Sequence, residues 1–418
     1  MAKSRAVEPS GCIVFLLLLL ASPVSAMNLY VDRLDDEYNG CSMESCSLRE
    51  AITVANGSDV YDTIILPAGT VELSRVGAGE DGNSTGDLDI TRSVTIVGKG
   101  PGVSIVDANY LDRVFHIMGS GVVGAFEGMT ITRGGNLAMG DGGGGIYVSN
   151  GTAVILRCDV VDNVSPWGGI TSGCGGGIQA RTGAVLWIED SSVRSNVADN
   201  LGGGMFVNNG SSLYVLRSTI SQNHASVGAP AVYFLGDTGQ INDSTISGNF
   251  NRSLNYGSIY VSGSMTLQFC TLTGNTDPTI KSSATNSVTL GRTIIHGQCG
   301  DSGVSLGGNI ETPGNTCGLS PSNDLMTSVD PDLGPLGLFG GLTETHRPSP
   351  TSVVVDLIFP PGVPDCTRPD QRGFSRPADS SGGSTPHCDV GAVELIHSEI
   401  FLDGFECGYT GSWSSEAP

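Results

Sequence analysis

Through the middle of the chain, single apolar residues stand between polar ones at regular intervals. The phrase opens as Met129-Thr130-Ile131-Thr132 and returns as Cys158-Asp159-Val160-Val161-Asp162-Asn163 and Ser191-Ser192-Val193-Arg194-Ser195-Asn196. It continues as Ser218-Thr219-Ile220-Ser221-Gln222-Asn223, Ser244-Thr245-Ile246-Ser247-Gly248-Asn249 and Cys270-Thr271-Leu272-Thr273-Gly274-Asn275. The asparagines fall at 163, 196, 223, 249 and 275, so successive units measure 33, 27, 26 and 26 residues. Between them recur glycine-rich stretches that run into apolar ones, as in Gly143-Gly144-Gly145-Ile146-Tyr147-Val148 and Gly202-Gly203-Gly204-Met205-Phe206-Val207. A further short run comes after each: Ala153 to Leu156, Ala184 to Ile188, Ser212 to Leu216 and Met265 to Phe269.

Three short strands per unit, with glycines at the corners, describe one coil of a solenoid. A single coil cannot bury its own apolar side chains, so coils must stack and share a core. The pattern predicts an all-β chain: a right-handed, single-stranded parallel β-helix of the pectin-lyase-like kind, with coils over residues 60–310. Period-two alternation points one column inward, comprising Ile131, Val160, Val193, Ile220, Ile246, Leu272 and Ile294. It points the flanking hydroxyls outward. Thr130, Thr132, Thr219, Ser221, Thr245, Ser247, Thr271 and Thr273 are then a candidate ligand face, with ranks ~7 Å apart along a strand and ~4.8 Å apart between coils. Asn163, Asn196, Asn223, Asn249 and Asn275 are expected to form a ladder, each bonding to backbone and to the next coil's asparagine.

A solenoid needs its open end covered. In Cys46-Ser47-Leu48-Arg49-Glu50-Ala51-Ile52, Ser47 and Glu50 are placed to form a capping box, and Gly57 can stop the helix. Residues 27–59 therefore read as an N-terminal cap containing a short amphipathic helix. Before it, Lys3 and Arg5, the leucines 16 to 20 and Val24-Ser25-Ala26 have the layout of a signal peptide over residues 1–26. An exported chain with no membrane span is the expectation.

That compartment changes how the cysteines read. Cys12 leaves with the leader, and the other ten favour disulfides over metal binding. Proximity suggests the pairs Cys41–Cys46, Cys158–Cys174, Cys299–Cys317 and Cys366–Cys388, leaving Cys270 and Cys407. The formal charge of −22 becomes −23 once Lys3, Arg5 and Glu8 are removed, which argues against nucleic acid and anionic lipid as partners. No cofactor is expected, with calcium the one candidate ion, at Glu80, Asp81, Asp87 and Asp89; a solvated acidic loop is the preferred reading there.

Cys46 to Ile52, reading CSLREAI, resembles the signature of the bacterial CSLREA-domain family of exported proteins. Downstream, Gly86-Asp87-Leu88-Asp89-Ile90 and Val94-Thr95-Ile96-Val97-Gly98 resemble the segment that succeeds the signature in that family. Residues 311–396 are similar to the choice-of-anchor Q domain in the order of Asp330-Pro331-Asp332, Gly340-Gly341-Leu342-Thr343, Asp370-Gln371-Arg372-Gly373 and Cys388-Asp389-Val390-Gly391. Pro350-Thr351-Ser352-Val353-Val354 departs from that family's usual Pro-Gly-Ser-Pro-Ala. The Gly-Gly-Ile and asparagine phrases also resemble the repeats of polymorphic outer-membrane proteins. The resemblances imply a bacterial surface β-helix, and the 397–418 tail would be either a sorting tag or a last strand.

Catalysis by such a solenoid would need carboxylates, with a basic residue for a lyase, in one register on adjacent coils. The outward columns offer only Asp159 beside Arg194, read as an ion pair, and Asn275-Thr276-Asp277, whose asparagine belongs to the ladder. The sequence therefore points to a non-catalytic secreted or cell-surface protein, adhesin-like or contacting an extracellular glycan or host surface. The competing expectation is a polysaccharide lyase or glycoside hydrolase with its carboxylates in the 76–87 or 137–143 loop.

Overall fold

The computed structural model describes residues 26–42, 45–135, 142–167, 173–252, 256–284, 287–320, 322–357, 366–377 and 387–396. The expected leader, apart from Ala26, and the 397–418 tail lie outside the described residues, as does most of the 137–143 loop.

The chain winds into a parallel β-helix with three long faces. The first face has eleven strands, from Asn28–Tyr30 to Val304–Gly307, and the third has eleven, from Gly69–Glu72 to Leu325–Met326. The second face has eight, from Leu88–Ile90 to Ile280–Ser282. Pairing thus continues past both ends of the 60–310 span. A narrow four-stranded sheet, from Val164–Ser165 to Phe250–Asn251, comes after the asparagine corner. Beyond the solenoid, Leu333–Gly337 and Thr345–Pro348 form an antiparallel pair.

The inward column is Ile131, Val160, Val193, Ile220, Ile246 and Leu272, all buried in one continuous core. Its next member is Ile295, which pairs with Leu272, not Ile294. The expectation slipped by one residue because Thr293 resembles the outward threonines. It is instead the hydroxyl of the preceding turn, and Cys270 N donates to its Oγ1. A slip of one exchanges inside for outside, so Ile294 joins a separate cluster with Ile310, Val354 and Val390.

Two polar ladders flank the third face, one at each of its edges. Asn163, Asn196, Asn223 and Asn249 each donate from Nδ2 to the Oδ1 of the next asparagine, at 2.9–3.0 Å, ending on Asn275. Each also donates to a carbonyl of the rung below: Ile131, Val160, Val193 and Ile220 in turn. The second ladder is one of small side chains at the turn before the third face. Cys158 N donates to Ser191 Oγ, Ser191 N to Ser218 Oγ and Ser218 N to Ser244 Oγ. Both ladders satisfy buried amides that strand pairing leaves over.

The glycine triplets close the tight turn into the second face. Gly143, Gly175 and Gly202 hold φ of +81°, +65° and +68°, and a Cβ on Gly202 would lie 2.3 Å from the Met205 carbonyl oxygen. Only glycine adopts that turn without strain.

Helix α1 (Leu48–Asn56) caps the first coil. Ser47 Oγ accepts from Glu50 N, and Ser47 N donates to the Glu50 carboxylate. Leu48, Ala51, Ile52 and Ala55 bury themselves in the core. Glu50 also accepts from Asn39 N and Gly40 N. Gly57 ends the helix with φ of −86°, an ordinary conformation and not a left-handed one.

Disulfides join Cys41–Cys46, Cys299–Cys317 and Cys366–Cys388. The expected Cys158–Cys174 bridge is absent. Cys158 faces inward as a member of the small-residue ladder, with its Sγ near the Leu156 carbonyl, whereas Cys174 packs with Phe206, Ala229 and Tyr233 on the second face. The two belong to separate apolar clusters, and closeness in sequence is a poor guide on a coil that turns three corners. Cys270 occupies the ladder site equivalent to Cys158, and burial pushes both thiols up to about 12.

Candidate functional site

The proposed hydroxyl face is where the structure departs most from the sequence reading. Thr219, Ser221, Thr245, Ser247, Thr271 and Thr273 are all buried, and described C-terminal residues around Glu344, Gln371 and Ala392 fold back over the third face. Thr219 Oγ1 donates to Glu344 O, and Thr245 Oγ1 donates to Gln371 Oε1. Ser247 Oγ lies 2.8 Å from His346 Nε2, Thr273 Oγ1 lies 3.1 Å from His296 Nδ1, and Ala392 N donates to Thr271 Oγ1. Gln371 Nε2 donates to both Thr219 Oγ1 and Thr343 Oγ1. Thr130, at the other end of the rank, is buried and accepts from Gly102 N, while Thr132 is half-buried. Thr219, Thr245, Ser247 and Thr271 hold the chain's own C-terminal segment, so this stretch is not an open ligand face.

Charged groups lock the same cover. Asp370 accepts from the Arg372 guanidinium and from Glu394 N, and Arg372 also donates to Glu394 O. Arg376 lies fully buried between Asp243 of the solenoid at 3.8 Å and Glu394 at 3.9 Å. Asp159 and Arg194 form the expected pair, 2.6 Å apart on adjacent rungs.

The first face remains open. Its outward column reads Thr63, Thr95, Ala125, Val154, Trp187, Tyr214, Gln240, Thr266 and Thr289, in register from rung to rung. Every one of these side chains is half-buried or exposed. Trp187 and Tyr214 lie with ring centroids 5.5 Å apart, and Trp187 Nε1 donates to Glu189 Oε2. No sequence phrase marked this pair, because the two aromatics differ in type and sit outside the repeating Thr-Ile-Thr motif.

The second face carries a different column: Asp89, His116, Tyr147, Gln179, Phe206, Tyr233, Tyr260 and Lys281. Phe206 stacks on Tyr233 at 5.5 Å and Tyr233 on Tyr260 at 4.7 Å. Leu201, Tyr256 and Cys174 pack against these rings, so most of the stack is covered.

At the head of this column the 76–87 loop closes on the solenoid. The expectation of a solvated acidic loop holds for Asp81, which is exposed, and fails for Asp87 and Asp89, which are buried. The reason is Arg49 of the CSLREAI segment. Its guanidinium is fully buried against Asp36 and donates to the carbonyls of Gly86 and Asp87, drawing the loop inward. Asp87 Oδ2 accepts from Arg113 Nε at 2.6 Å, and Asp89 Oδ2 accepts from Asn83 N at 3.2 Å. Burial pushes Asp87 well above the ordinary carboxylate range, with Arg113 opposing. Burial does the same to Asp89, where the hydrogen bond from Asn83 opposes and the charges of Glu80 and Asp81 add. His116, from the next rung, stacks on Tyr147 at 4.8 Å and brings Nδ1 to 3.4 Å from Asp89 Oδ1. Among the described residues, Asp81, Asp89 and His116 bring together a donor set that suits a metal.

Comparison with known proteins finds no matching family model, no matching curated protein and no matching solved structure. The class is therefore defined by the fold itself: a disulfide-bearing parallel β-helix with a capped N-terminal end and one face covered by its own C-terminal segment. Among the described residues, no helix is long and apolar enough to cross a membrane.

Proposed function

We propose that the chain is an exported, non-catalytic β-helix that contacts extracellular glycan through its first face. The observation that carries this reading is the contrast in cover. Among the described residues the first face is uncovered and presents the Trp187–Tyr214 pair among threonines and Gln240. Aromatic rings offer apolar area at little entropic cost and can stack on the flat faces of sugar rings, while neighbouring hydroxyls and amides meet sugar hydroxyls. The leader-like start, the three disulfides and the resemblance to CSLREA and choice-of-anchor Q proteins support export.

The competing reading, a polysaccharide-cleaving enzyme, has the raised carboxyls of Asp87 and Asp89 on its side. Against it, both carboxyls are buried, Asp87 held by Arg113 and Asp89 by Asn83, so neither is presented to a polysaccharide chain. The test is binding of neutral and acidic polysaccharides, with new chain ends monitored in the same samples. Trp187→Ala is expected to weaken binding at least tenfold while leaving the melting temperature within a few degrees. Binding that ignores Trp187→Ala and Tyr214→Ala sinks the first-face reading, and new chain ends from any polysaccharide would establish the enzyme.

A further inference from the structure

The start of the second face brings three metal-ligating side chains together on one side of the 76–87 loop. We infer that Asp81, Asp89 and His116 form a binding site for one divalent transition-metal ion of the zinc or manganese type, which ties the 76–87 loop to the second rung of that face. Their ligand atoms, one from each side chain, all lie within 4.8 Å of one another. His116 Nδ1 is 3.4 Å from Asp89 Oδ1 and 3.9 Å from Asp81 Oδ1. Ligands held ~2.0–2.2 Å from a tetrahedral ion lie ~3.4 Å apart, so these three need little adjustment to share one.

A second observation is independent of that spacing. Asp89 is fully buried, yet its Oδ1, the oxygen turned toward His116, accepts no hydrogen bond. A buried carboxylate oxygen left without a donor is costly, and a cation is the group that most directly offsets it. Negative charge gathers here: Glu80 and Asp81 act on Asp89, Asp89 acts on Asp87, and Arg113 opposes them. That guanidinium donates to Asp87 and not to Asp89.

The chemistry of the donors selects the ion. Calcium takes six to eight oxygen ligands, whereas two carboxylates and an imidazole suit a borderline ion that keeps one or more waters. Asp81 stands exposed at the mouth and gives the ion a way in. Asn83, in the left-handed conformation at φ 67°, holds Asp89 from behind with paired hydrogen bonds: Asn83 N donates to Asp89 Oδ2, and Asp89 N to Asn83 Oδ1.

The full chain, stripped with chelator, is titrated calorimetrically with zinc, manganese and calcium in turn. One zinc or manganese ion per chain is expected, bound at least tenfold more tightly than calcium, and zinc is expected to raise the melting temperature. Asp81→Asn, an exposed change that leaves the metal-free melting temperature unaltered, is expected to weaken zinc at least tenfold, and His116→Gln to remove it. Asp59→Asn, on another exposed acid, is expected to change nothing. Three outcomes overturn the site: no bound ion, calcium held as tightly as zinc, or zinc affinity indifferent to Asp81→Asn. The first of these, with an ionised His116 seen by NMR, would make the group a simple carboxylate–imidazolium pair.

Discussion

The first and third faces are built from the same coils, with the same strand count, yet the third is covered from Thr219 onward by the chain's own C-terminal residues. On the third face Thr219, Thr245 and Thr271 are buried under Gln371, Glu344 and Ala392. On the first, Thr63, Thr95, Thr266 and Thr289 stay half-buried, with no cover among the described residues. The difference teaches that a regular rank of hydroxyls has no inherent partner. It suits a sugar, water or another stretch of polypeptide equally, and what decides is whether a distant segment supplies matching donors and acceptors.

The strongest way to break the contrast is at Gln371, whose amide bonds Thr219, Thr245 and Thr343 at once. Gln371→Leu takes from the buried Thr245 hydroxyl the acceptor it donates to and one donor each from Thr219 and Thr343, and is expected to cost about 2–4 kcal/mol. Limited proteolysis should then cut within 333–357 while the solenoid strands remain protected. Cleavage no faster than in the parent protein would show that the cover is held by other contacts. A finer comparison sets one threonine on each face against the other. Thr245→Val is expected to cost about 1–2 kcal/mol in denaturant unfolding, whereas Thr266→Val, on the open face, should stay within about 0.5 kcal/mol. Equal costs would erase the distinction between the faces.

The smallest expected effect is one of pH. His346 bridges Ser247 Oγ and the Gly334 carbonyl oxygen. Burial lowers its pKa from the usual 6.5, against the pull of Gly334 and Glu344. The fold thus favours the neutral ring, while the unfolded chain takes up a proton near the ordinary value. The stability this gives is present above pH 6.5 and is lost as pH falls below it. Asp389, raised by burial to about 6, works in the opposite direction, so the comparison must be between proteins. Amide exchange across 333–356, corrected for intrinsic rate, should accelerate between pH 7.5 and 5.5 more in the parent than in His346→Gln. The same acceleration in both would remove His346 from the account.

The solenoid itself was legible because its signals are local and repeated. The asparagine spacing, the glycine triplets and the Ser47–Glu50 box each report on residues a few positions away or one coil on. The failures share a cause as well. Whether Thr245 faces solvent depends on Gln371, a residue 126 positions distant. Asp87 and Asp89 looked solvated because nothing near them in sequence reveals that Arg49, nearly 40 residues earlier, binds the loop's carbonyls. Cys158 and Cys174 looked paired by proximity, although Cys158 is one of a rank of small side chains that otherwise runs through Ser191, Ser218 and Ser244. Ile294 and Ile295 are adjacent and chemically identical, and only the position of Thr293 in the turn decides between them.

The cover has a consequence for how this chain can change length. Successive coils of 26 residues carry their own asparagine, turn hydroxyl and inward apolar residue, so a duplicated coil brings along everything its neighbours need. The C-terminal segment, however, grips the rungs at Thr219, Thr245, Thr271 and Ile294 in order and so acts as a gauge of rung number. A coil added between Thr219 and Ile294 would put that gauge out of step. One added between Ile131 and Val193 would pass unnoticed by it. Coil number is therefore gauged by the cover from Thr219 to Ile294 and not between Ile131 and Val193.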